Sequence, residues 1–365
     1  MPKIRVLVVD DAVVIRKVVT EVLSADPAVE VMGTAANGLI ALEKIRLQRP
    51  DAVVLDIEMP EMDGLTALKE IRKLHPKLPV VMFSTLTERG ASATLDALSL
   101  GANDYVTKPS NTGSLDQARV RIQEELIPKL RALCGVGDKP KATGVQAPIR
   151  PAAARTVAPG PVDIVAIGVS TGGPNALGVL IPSLPAELPV PVVIVQHMPP
   201  VFTKLLADRL GAKAKVKVRE VQGGEVLGPG TVYIAPGNFH MVVVRDGKQV
   251  RLKTNQDPPE NSCRPAVDPL FRSVAASHGP RALGVILTGM GQDGLQGVRA
   301  MRAAGARILA QDEQSSVVWG MPGFVVRDGL ADKVLPIDGM AKEVVGLVQA
   351  DRLPRIFRSN LPTRT

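Results

Sequence analysis

The sequence predicts two α/β domains, each built on a doubly wound sheet. Within residues 1–130, apolar runs of strand length alternate with segments of helical spacing five times. Such alternation produces a parallel sheet with helices on both faces. A second series of apolar runs extends over residues 163–350, and a stretch rich in Pro, Ala and Gly separates the two series. A chain of 365 residues is long enough for both domains.

The composition also defines the segments outside the two domains. Residues 131–162 have no periodic apolar pattern, and such a segment buries too little surface to fold by itself, so we expect a flexible linker. Residues 351–365 contain four arginines and are expected to form a basic tail. The N-terminal domain therefore comprises residues 1–130, and the C-terminal domain comprises residues 163–350.

The formal net charge of +8 does not by itself indicate nucleic-acid binding. The net charge is −2 over residues 1–130, +4 over 131–162 and +6 over 163–365, so the excess lies largely in the linker and the tail. The chain has only six Phe, two Tyr and one Trp that could stack on bases. We therefore expect a solvated basic surface and no nucleic-acid partner.

The hydropathy and the cysteine count constrain the class of protein. No apolar run reaches the length of about 18 residues that a transmembrane helix needs. The first strand begins almost at the N-terminus, which leaves no room for a signal peptide, and we expect a monomeric cytoplasmic protein. The two cysteines, Cys134 and Cys263, are too few for a disulfide framework or a cysteine-only zinc site.

The N-terminal domain is predicted to have a flavodoxin-like sheet of five parallel strands. The predicted strands cover residues 4–9, 29–35, 52–55, 80–84 and 104–106, and the predicted helices cover residues 13–24, 38–48, 64–74, 88–100 and 114–130. Sheets of this type carry their functional groups at the carboxyl ends of the strands.

Charged and polar side chains follow these strand ends. They are Asp10, Asp11, Asp56, Ser84 and Lys108. Converging carboxylates repel one another unless a cation joins them, and oxygen ligands of this kind suit Mg²⁺. A lysine opposite them could neutralise a phosphoryl group, which indicates an aspartyl phosphate. Taken singly, an Asp pair after a strand is also typical of a solvated turn, and a Lys-Pro pair of a loop.

The joint pattern resembles the receiver domain of two-component response regulators. The matching stretches are VLVVDDA, VLDIEMPEMDGL and SLGANDYVTKP. The resemblance implies that Asp56 is the phospho-acceptor and that Asp10 and Asp11 help it to bind Mg²⁺. It further implies that Ser84 and Lys108 respond to the phosphoryl group, and that the ring of Tyr105 reorients on activation. A histidine kinase would be the phosphodonor.

The C-terminal domain is again predicted to be α/β, with a mostly parallel sheet and an antiparallel hairpin region. The predicted strands cover residues 164–169, 192–196, 216–221, 231–235, 241–244, 249–252, 283–287 and 307–310. Turn residues 245–248 join two of the short strands and indicate a hairpin.

Three of these buried strands lead into residues with catalytic potential: Ser170, His197 and Asp293. Ser170 lies in a G-x-S-x-G turn before a helix, which is compatible with an exposed nucleophile, a phosphate-binding glycine turn or a plain tight turn. Histidine can accept the serine proton, and a buried carboxylate can fix the histidine tautomer. The chain order Ser, His, Asp differs from the Ser, Asp/Glu, His order of α/β-hydrolases and argues against that fold.

The whole C-terminal domain resembles the catalytic domain of chemotaxis receptor methylesterases of the CheB type. The matching stretches are AIGVSTGGPNAL, VIVQHMPPVFT, GTVYIAPGNFHM, RPAVDPLFRS and VILTGMGQDGLQG. The resemblance implies that Ser170 is the nucleophile, His197 the base and Asp293 its orienting partner. It places Thr171 and the N–H group of Met290 near the oxyanion. Cys263 stands where relatives often have histidine, which puts substrate contacts in doubt rather than the chemistry.

The two resemblances together imply an enzyme for sensory adaptation. Its substrates would be glutamate γ-methyl esters on chemoreceptors, and glutamine side chains could be deamidated through the same acyl intermediate. The esterase reaction would need no cofactor, and Mg²⁺ would serve the receiver alone. Phosphorylation would raise activity by loosening the receiver from the catalytic cleft. A non-catalytic adaptor and an esterase in another signalling pathway remain alternatives.

Overall fold

The computed structural model describes residues 3–108, 119–120, 122–136 and 161–350. The chain divides into two compact units, Met1–Val145 and Gln146–Thr365. Most of the predicted linker, all of the predicted tail and the start of the helix predicted over residues 114–130 lie outside the described residues.

The N-terminal unit alternates strands and helices as predicted. Its elements are β1 (Ile4–Val9), α1 (Val13–Ser24), β2 (Val29–Ala35), α2 (Gly38–Gln48), β3 (Ala52–Asp56), α3 (Gly64–Leu74), β4 (Val80–Ser84), α4 (Glu88–Ser99), β5 (Asp104–Thr107), a π-helical turn (Ile122–Leu126) and α5 (Ile127–Leu133). The five strands form one parallel sheet in the order β2-β1-β3-β4-β5. This is the flavodoxin-like order, and the fold prediction is confirmed.

The centre of this sheet shows why the apolar runs are continuous. Every residue of β3 is buried, because helices cover both faces of a doubly wound sheet. Two of the helices begin at polar caps, since Asn37 and Asp63 accept hydrogen bonds from N–H groups in the first turns of α2 and α3. Gly64 lies against the end of β3, where a Cβ atom would come within 1.9 Å of the carbonyl oxygen of Asp56. The start of α3 is thereby packed directly against Asp56.

The C-terminal unit is larger and combines parallel and antiparallel strands. Its elements are β6 (Ile164–Val169), α6 (Gly173–Leu180), β7 (Val192–Gln196), α7 (Phe202–Lys213), β8 (Lys217–Glu220), β9 (Thr231–Ile234), β10 (His240–Asp246), β11 (Gln249–Asn255), α8 (Val267–His278), β12 (Ala282–Ile286), α9 (Leu295–Ala303), β13 (Arg307–Gln311), α10 (Met321–Arg327), β14 (Lys333–Leu335) and α11 (Ile337–Ala350).

Seven of these strands form a parallel sheet in the order β14-β13-β12-β6-β7-β9-β8. Strands β10 and β11 form a separate antiparallel pair. The prediction of a mostly parallel sheet with a hairpin is therefore confirmed. Strand β14 was missed, because it has only three residues, which are exposed or half-buried, and no apolar run marks it.

Helix α8 packs closely on the central strand β6. A Cβ atom at Gly168 would come within 2.4 Å of Val267 Cγ1, so this glycine allows the first turn of α8 to approach the strand. Val267, Leu270 and Phe271 are fully buried in the core beneath the sheet. The start of α8 is thus fixed next to the carboxyl ends of the central strands. Among the helices of the described residues, none has the length and apolar character needed to cross a bilayer.

Candidate active site

Ser170 follows β6 in a tight turn that leads into α6. Its N–H group donates to the carbonyl oxygen of Thr288 at 3.0 Å, and its own carbonyl accepts from Gly173 at 2.8 Å. Gly172 has a φ of 77°, a left-handed conformation that glycine adopts at little cost. The buried Gln196 also donates to the Ser170 carbonyl at 3.0 Å. The main chain of Ser170 is therefore held from three sides, and its side chain stands at the start of a helix.

The three predicted catalytic residues lie in one hydrogen-bonded row. His197 Nδ1 is 3.0 Å from Ser170 Oγ, and His197 Nε2 is 2.7 Å from Asp293 Oδ2. A carboxylate only accepts hydrogen bonds, so Nε2 carries a proton and Nδ1 can accept the serine proton. The row can therefore activate the serine hydroxyl as a nucleophile.

Asp293 is buried at 3% exposure and is surrounded by donors. Burial raises the pKa of its carboxyl. The hydrogen bond and charge of His197, together with the main-chain donors, lower the pKa by more, so that it lies below its usual value. The carboxylate is thus ionised at neutral pH and stabilises an imidazolium on His197. Its donors other than His197 are the N–H groups of Val267 (2.6 Å), Asp268 (3.1 Å) and Gly294 (2.9 Å) and the side-chain amide of Asn261 (3.0 Å).

Two main-chain groups near Ser170 are available as donors for an oxyanion. Among the described residues, the N–H groups of Thr171 and Met290 have no hydrogen-bond partner within the protein. The hydroxyl of Thr288 donates to the Thr171 carbonyl at 2.9 Å and fixes the peptide plane between Thr171 and Gly172. A Cβ atom at Gly289, next to Met290, would lie 2.8 Å from Ser170 Cβ, so the two loops touch at the serine. This arrangement is compatible with the predicted oxyanion donors.

The predicted acidic pocket of the N-terminal unit is also assembled. Carboxylate oxygens of Asp10, Asp11 and Asp56 lie within 4.8 Å of one another. Lys108 Nζ is 2.8 Å from Asp10 Oδ2 and 2.7 Å from Asp56 Oδ2. Burial and the charge of Asp10 raise the pKa of Asp56 to about 6, against the opposing effect of Lys108. A close oxygen-only set with excess negative charge fits Mg²⁺, as the sequence predicted.

The other predicted groups of this pocket occupy distinct positions. Ser84 lines a cavity of about 190 Å³ together with Asp56 and Lys108. Its hydroxyl donates to the Gly90 carbonyl at 3.1 Å and accepts from Thr94 at 2.6 Å, which connects the pocket to α4.

Tyr105 of β5 is buried at 7% exposure. Lys129 donates to the Tyr105 carbonyl at 2.6 Å, and its ammonium lies 5.2 Å from the centre of the Tyr105 ring. The aromatic ring is therefore packed inward beside a residue of α5.

Comparison with protein families matches both units. Residues 6–119 match the response regulator receiver domain, and residues 165–344 match the CheB methylesterase family. A protein-glutamate methylesterase/protein-glutamine glutaminase of Trichodesmium erythraeum is 51% identical over 352 residues, covering 94% of this chain and 99% of the relative. The chain belongs to the CheB methylesterase family. Both resemblances found in the sequence are confirmed.

Two further comparisons agree with this assignment. A protein of the same description from a Nocardioides species is 51% identical over 350 residues, which cover 94% of this chain and 95% of the relative. The crystal structure of the Thermotoga maritima CheB methylesterase catalytic domain is 42% identical, with a TM-score of 0.51, and covers 51% of this chain and 99% of that domain.

The structure adds residues to the methylesterase site that sequence reasoning missed. Asn261 and Asp268 contact Asp293, and Gln196 supports the serine turn. Gln196 precedes His197 at the end of β7, so its position was a usable signal. Asn261 lies in a turn outside the helices and the long strands, where spacing along the sequence predicts no neighbour in space.

Cys263 lies closer to the chemistry than expected. The sequence placed it outside the triad and connected it with substrate contacts, but its Sγ is 3.5 Å from His197 Nδ1, the nitrogen that faces Ser170. Burial lowers the pKa of His197, but the electrostatic interaction and hydrogen bond with Cys263 and those with Asp293 raise it by more. The net direction is upward, which favours the imidazolium.

Removing this thiol is expected to change the pH dependence of catalysis. His197 must be neutral to accept the Ser170 proton, so activity rises as the pH increases through its pKa. Replacing Cys263 by Ser removes the ionisable partner and lowers the pKa of His197, and the acidic limb of kcat/KM is expected to move to lower pH. The measurement is a pH–rate profile of the full chain.

The matched control is Cys134→Ser. Cys134 belongs to the N-terminal unit, and its Sγ contacts the main-chain carbonyl of Asp51. Its replacement should leave the acidic limb in place. An unchanged profile for Cys263→Ser would show that the thiol does not influence the His197 proton.

Proposed function

We propose that the chain is a protein-glutamate methylesterase and protein-glutamine glutaminase whose activity increases when Asp56 is phosphorylated. The observation that carries this proposal is the row from Ser170 Oγ through His197 to Asp293, with distances of 3.0 and 2.7 Å. Membership of the CheB methylesterase family supplies the substrate class, and the receiver domain supplies the control.

The first half of the reaction transfers the acyl group to Ser170. The hydroxyl attacks the carbonyl carbon of a glutamate γ-methyl ester while its proton passes to His197 Nδ1. Asp293 stabilises the resulting imidazolium, and the N–H groups of Thr171 and Met290 stabilise the oxyanion. The imidazolium then gives its proton to the departing methoxide, which leaves as methanol, and a γ-glutamyl ester of Ser170 remains.

The second half returns the enzyme to its starting state. A water molecule takes the place of methanol, gives its proton to His197 and attacks the acyl carbon. The tetrahedral intermediate collapses, and Ser170 recovers its proton from His197. The receptor, with the glutamate side chain now a free carboxylate, leaves the enzyme. A glutamine side chain enters the same acyl intermediate with ammonia as the leaving group, so the two substrates yield the same product.

The N-terminal unit is proposed to receive the controlling phosphoryl group. Asp10, Asp11 and Asp56 would hold Mg²⁺, which neutralises charge on a transferring phosphoryl group. The Asp56 carboxylate attacks the phosphorus of a histidine kinase phosphohistidine, and the histidine leaves. Lys108 pairs with the phosphoryl oxygens, and Ser84 donates to one of them. Reorientation of Tyr105 would accompany this step.

The partners and the location follow from the same chemistry. The substrates would be the cytoplasmic helices of chemoreceptors, so the enzyme would act in the cytoplasm. It would act as a monomer and would have no nucleic-acid partner. We propose the predicted domain limits at residues 1–130 and 163–350, joined by the linker over residues 131–162 and followed by the basic tail over 351–365, except that α5 continues to Leu133 and the linker would begin after it. Family membership supports these assignments by analogy.

The proposed activity is tested with chemoreceptors whose glutamates carry radioactive methyl esters. The phosphorylated full chain is expected to release radioactive methanol and to leave free glutamate on the receptor. Receptors with glutamine at the same positions should release ammonia. Tight receptor binding without methanol or ammonia would contradict the proposal and support the adaptor alternative.

A further inference from the structure

The turn formed by residues 260–263 carries side chains into the catalytic centre. The N–H of Glu260 donates to the Cys263 carbonyl at 3.2 Å, and the N–H of Cys263 donates to the Glu260 carbonyl at 2.9 Å. The two central residues, Asn261 and Ser262, have φ values of 51° and 60°. This left-handed pair is the conformation of a tight hairpin turn.

A surface ion pair anchors the turn to α8. Arg272 donates through both terminal nitrogens to the Glu260 carboxylate, at 3.0 and 2.5 Å. A two-pronged contact of this kind restricts orientation as well as distance. The ion pair therefore attaches residues 260–263 to α8, and the start of α8 also contacts Asp293.

Asn261 connects two buried carboxylates at this place. Its Nδ2 donates to Asp293 Oδ1 at 3.0 Å and to Asp268 Oδ2 at 3.1 Å. Asp268 has 3% exposure, and its other oxygen accepts from the N–H of Gly297 at 2.6 Å. Burial and the charge of Asp293 raise the pKa of Asp268, while the Gly297 and Asn261 hydrogen bonds lower it. The amide thus separates two like charges that would otherwise repel.

We propose that Asn261 is a positioning residue for the catalytic reaction, which holds Asp293 in place through a shared contact with Asp268. Asp293 uses its Oδ2 for His197 and its Oδ1 for Asn261, so a rotation of the carboxylate would break both hydrogen bonds. Asn261 itself touches neither His197 nor Ser170 in the hydrogen bonds of the described residues. This role rests on the proposed function of the triad.

The consequence for His197 has a definite sign. Loss of the Asn261 donor leaves the negative charge of Asp293 less well stabilised by hydrogen bonds. It also removes the amide that separates Asp293 from the like charge of Asp268. Both changes favour the imidazolium and raise the pKa of His197. Among the described residues, the other titratable or charged groups near this row are Cys263 beside His197, and Arg272 with its partner Glu260 beside Asp268, and the variants below retain all three.

The test uses Asn261→Gly in the full chain. Glycine accepts the left-handed φ of this position, so the turn is retained while the amide is removed. We expect the His197 pKa, followed by NMR of the chain with labelled histidine, to rise, and the Nε2 proton signal to move downfield. With the ester substrate, kcat should fall by about tenfold at constant KM and the acidic limb of kcat/KM should move to higher pH.

Two further variants make the result decisive. Ser262→Gly changes the neighbouring left-handed residue and should leave the His197 titration unchanged, which controls for a loosened turn. In an Asp293→Asn background, Asn261→Gly should have no further effect, because the group it positions is altered. Equal shifts of the His197 pKa in both backgrounds would overturn the proposal. The NMR readout needs no substrate, so a failure of the proposed esterase function would appear separately as absent methanol release.

Discussion

Replacement of Ser170 by Ala is expected to lower kcat for methyl-ester hydrolysis by about 10⁵-fold or more, since comparable losses follow removal of the nucleophile in serine hydrolases. The alanine leaves His197 and Asp293 in place but offers no oxygen to form the acyl intermediate. Because the main chain of residue 170 holds the turn through its N–H and carbonyl groups, the fold of the site should be retained. The measurement is single-turnover release of methanol from a methylated receptor.

The matched control is Ser183→Ala. Ser183 is an exposed residue after α6, and its hydroxyl donates only to the Val179 carbonyl among the contacts of the described residues. Its replacement should leave kcat within about twofold, since surface substitutions of this kind change little. Receptor binding by Ser170→Ala should persist. Turnover by this variant at more than a small fraction of the wild-type rate would remove Ser170 from the proposed mechanism.

Replacement of Asp56 by Asn is expected to abolish phosphoryl transfer to the chain and, with it, the activation of the esterase. The amide has nearly the same shape but is no nucleophile, and it removes one of the charges that hold Lys108. The esterase should then remain at its basal rate when a phosphohistidine donor and Mg²⁺ are added. The measurements are radioactive phosphate incorporation and methanol release under the same conditions.

A control for this variant is available in the same unit. Asp51→Asn changes a carboxylate that accepts from the N–H of Arg5 at 2.8 Å and lies at the opposite end of β3 from Asp56. It should accept phosphate normally. Phosphate incorporation into Asp56→Asn would identify another acceptor, and normal incorporation into the wild type without activation would contradict the regulatory part of the proposal.

The sequence predicted the fold well, because the strands of a doubly wound sheet are short, buried on both faces and therefore continuously apolar. Strand β6, with all six residues buried, is the clearest case. The strand assignment also led to the proposed triad, since carboxyl ends of neighbouring parallel strands meet at one edge. Ser170 and His197 directly follow strands that pair with each other.

The parts that were missed depend on loops and on directions of side chains. Asn261 reaches Asp293 across 32 positions of sequence through a turn whose left-handed residues carry no distinctive spacing. His197 uses Nδ1 for Ser170 and Nε2 for Asp293, and this orientation of the ring is not revealed by residue types. The short strand β14 pairs only with β13, at an edge of the sheet where an apolar run is not required.

Strand β6 lies between β12 and β7 in the sheet, and the proposed catalytic residues, in the chain order Ser, His, Asp, follow these three neighbouring strands. Ser170 follows the middle one of these three strands, although it comes first along the chain and His197 is the middle member of the hydrogen-bonded row. Proton transfer requires only that the three strand ends be adjacent in space. The linear order is therefore a record of how the sheet is wound, and it can serve as a topological label for telling unrelated serine hydrolases apart.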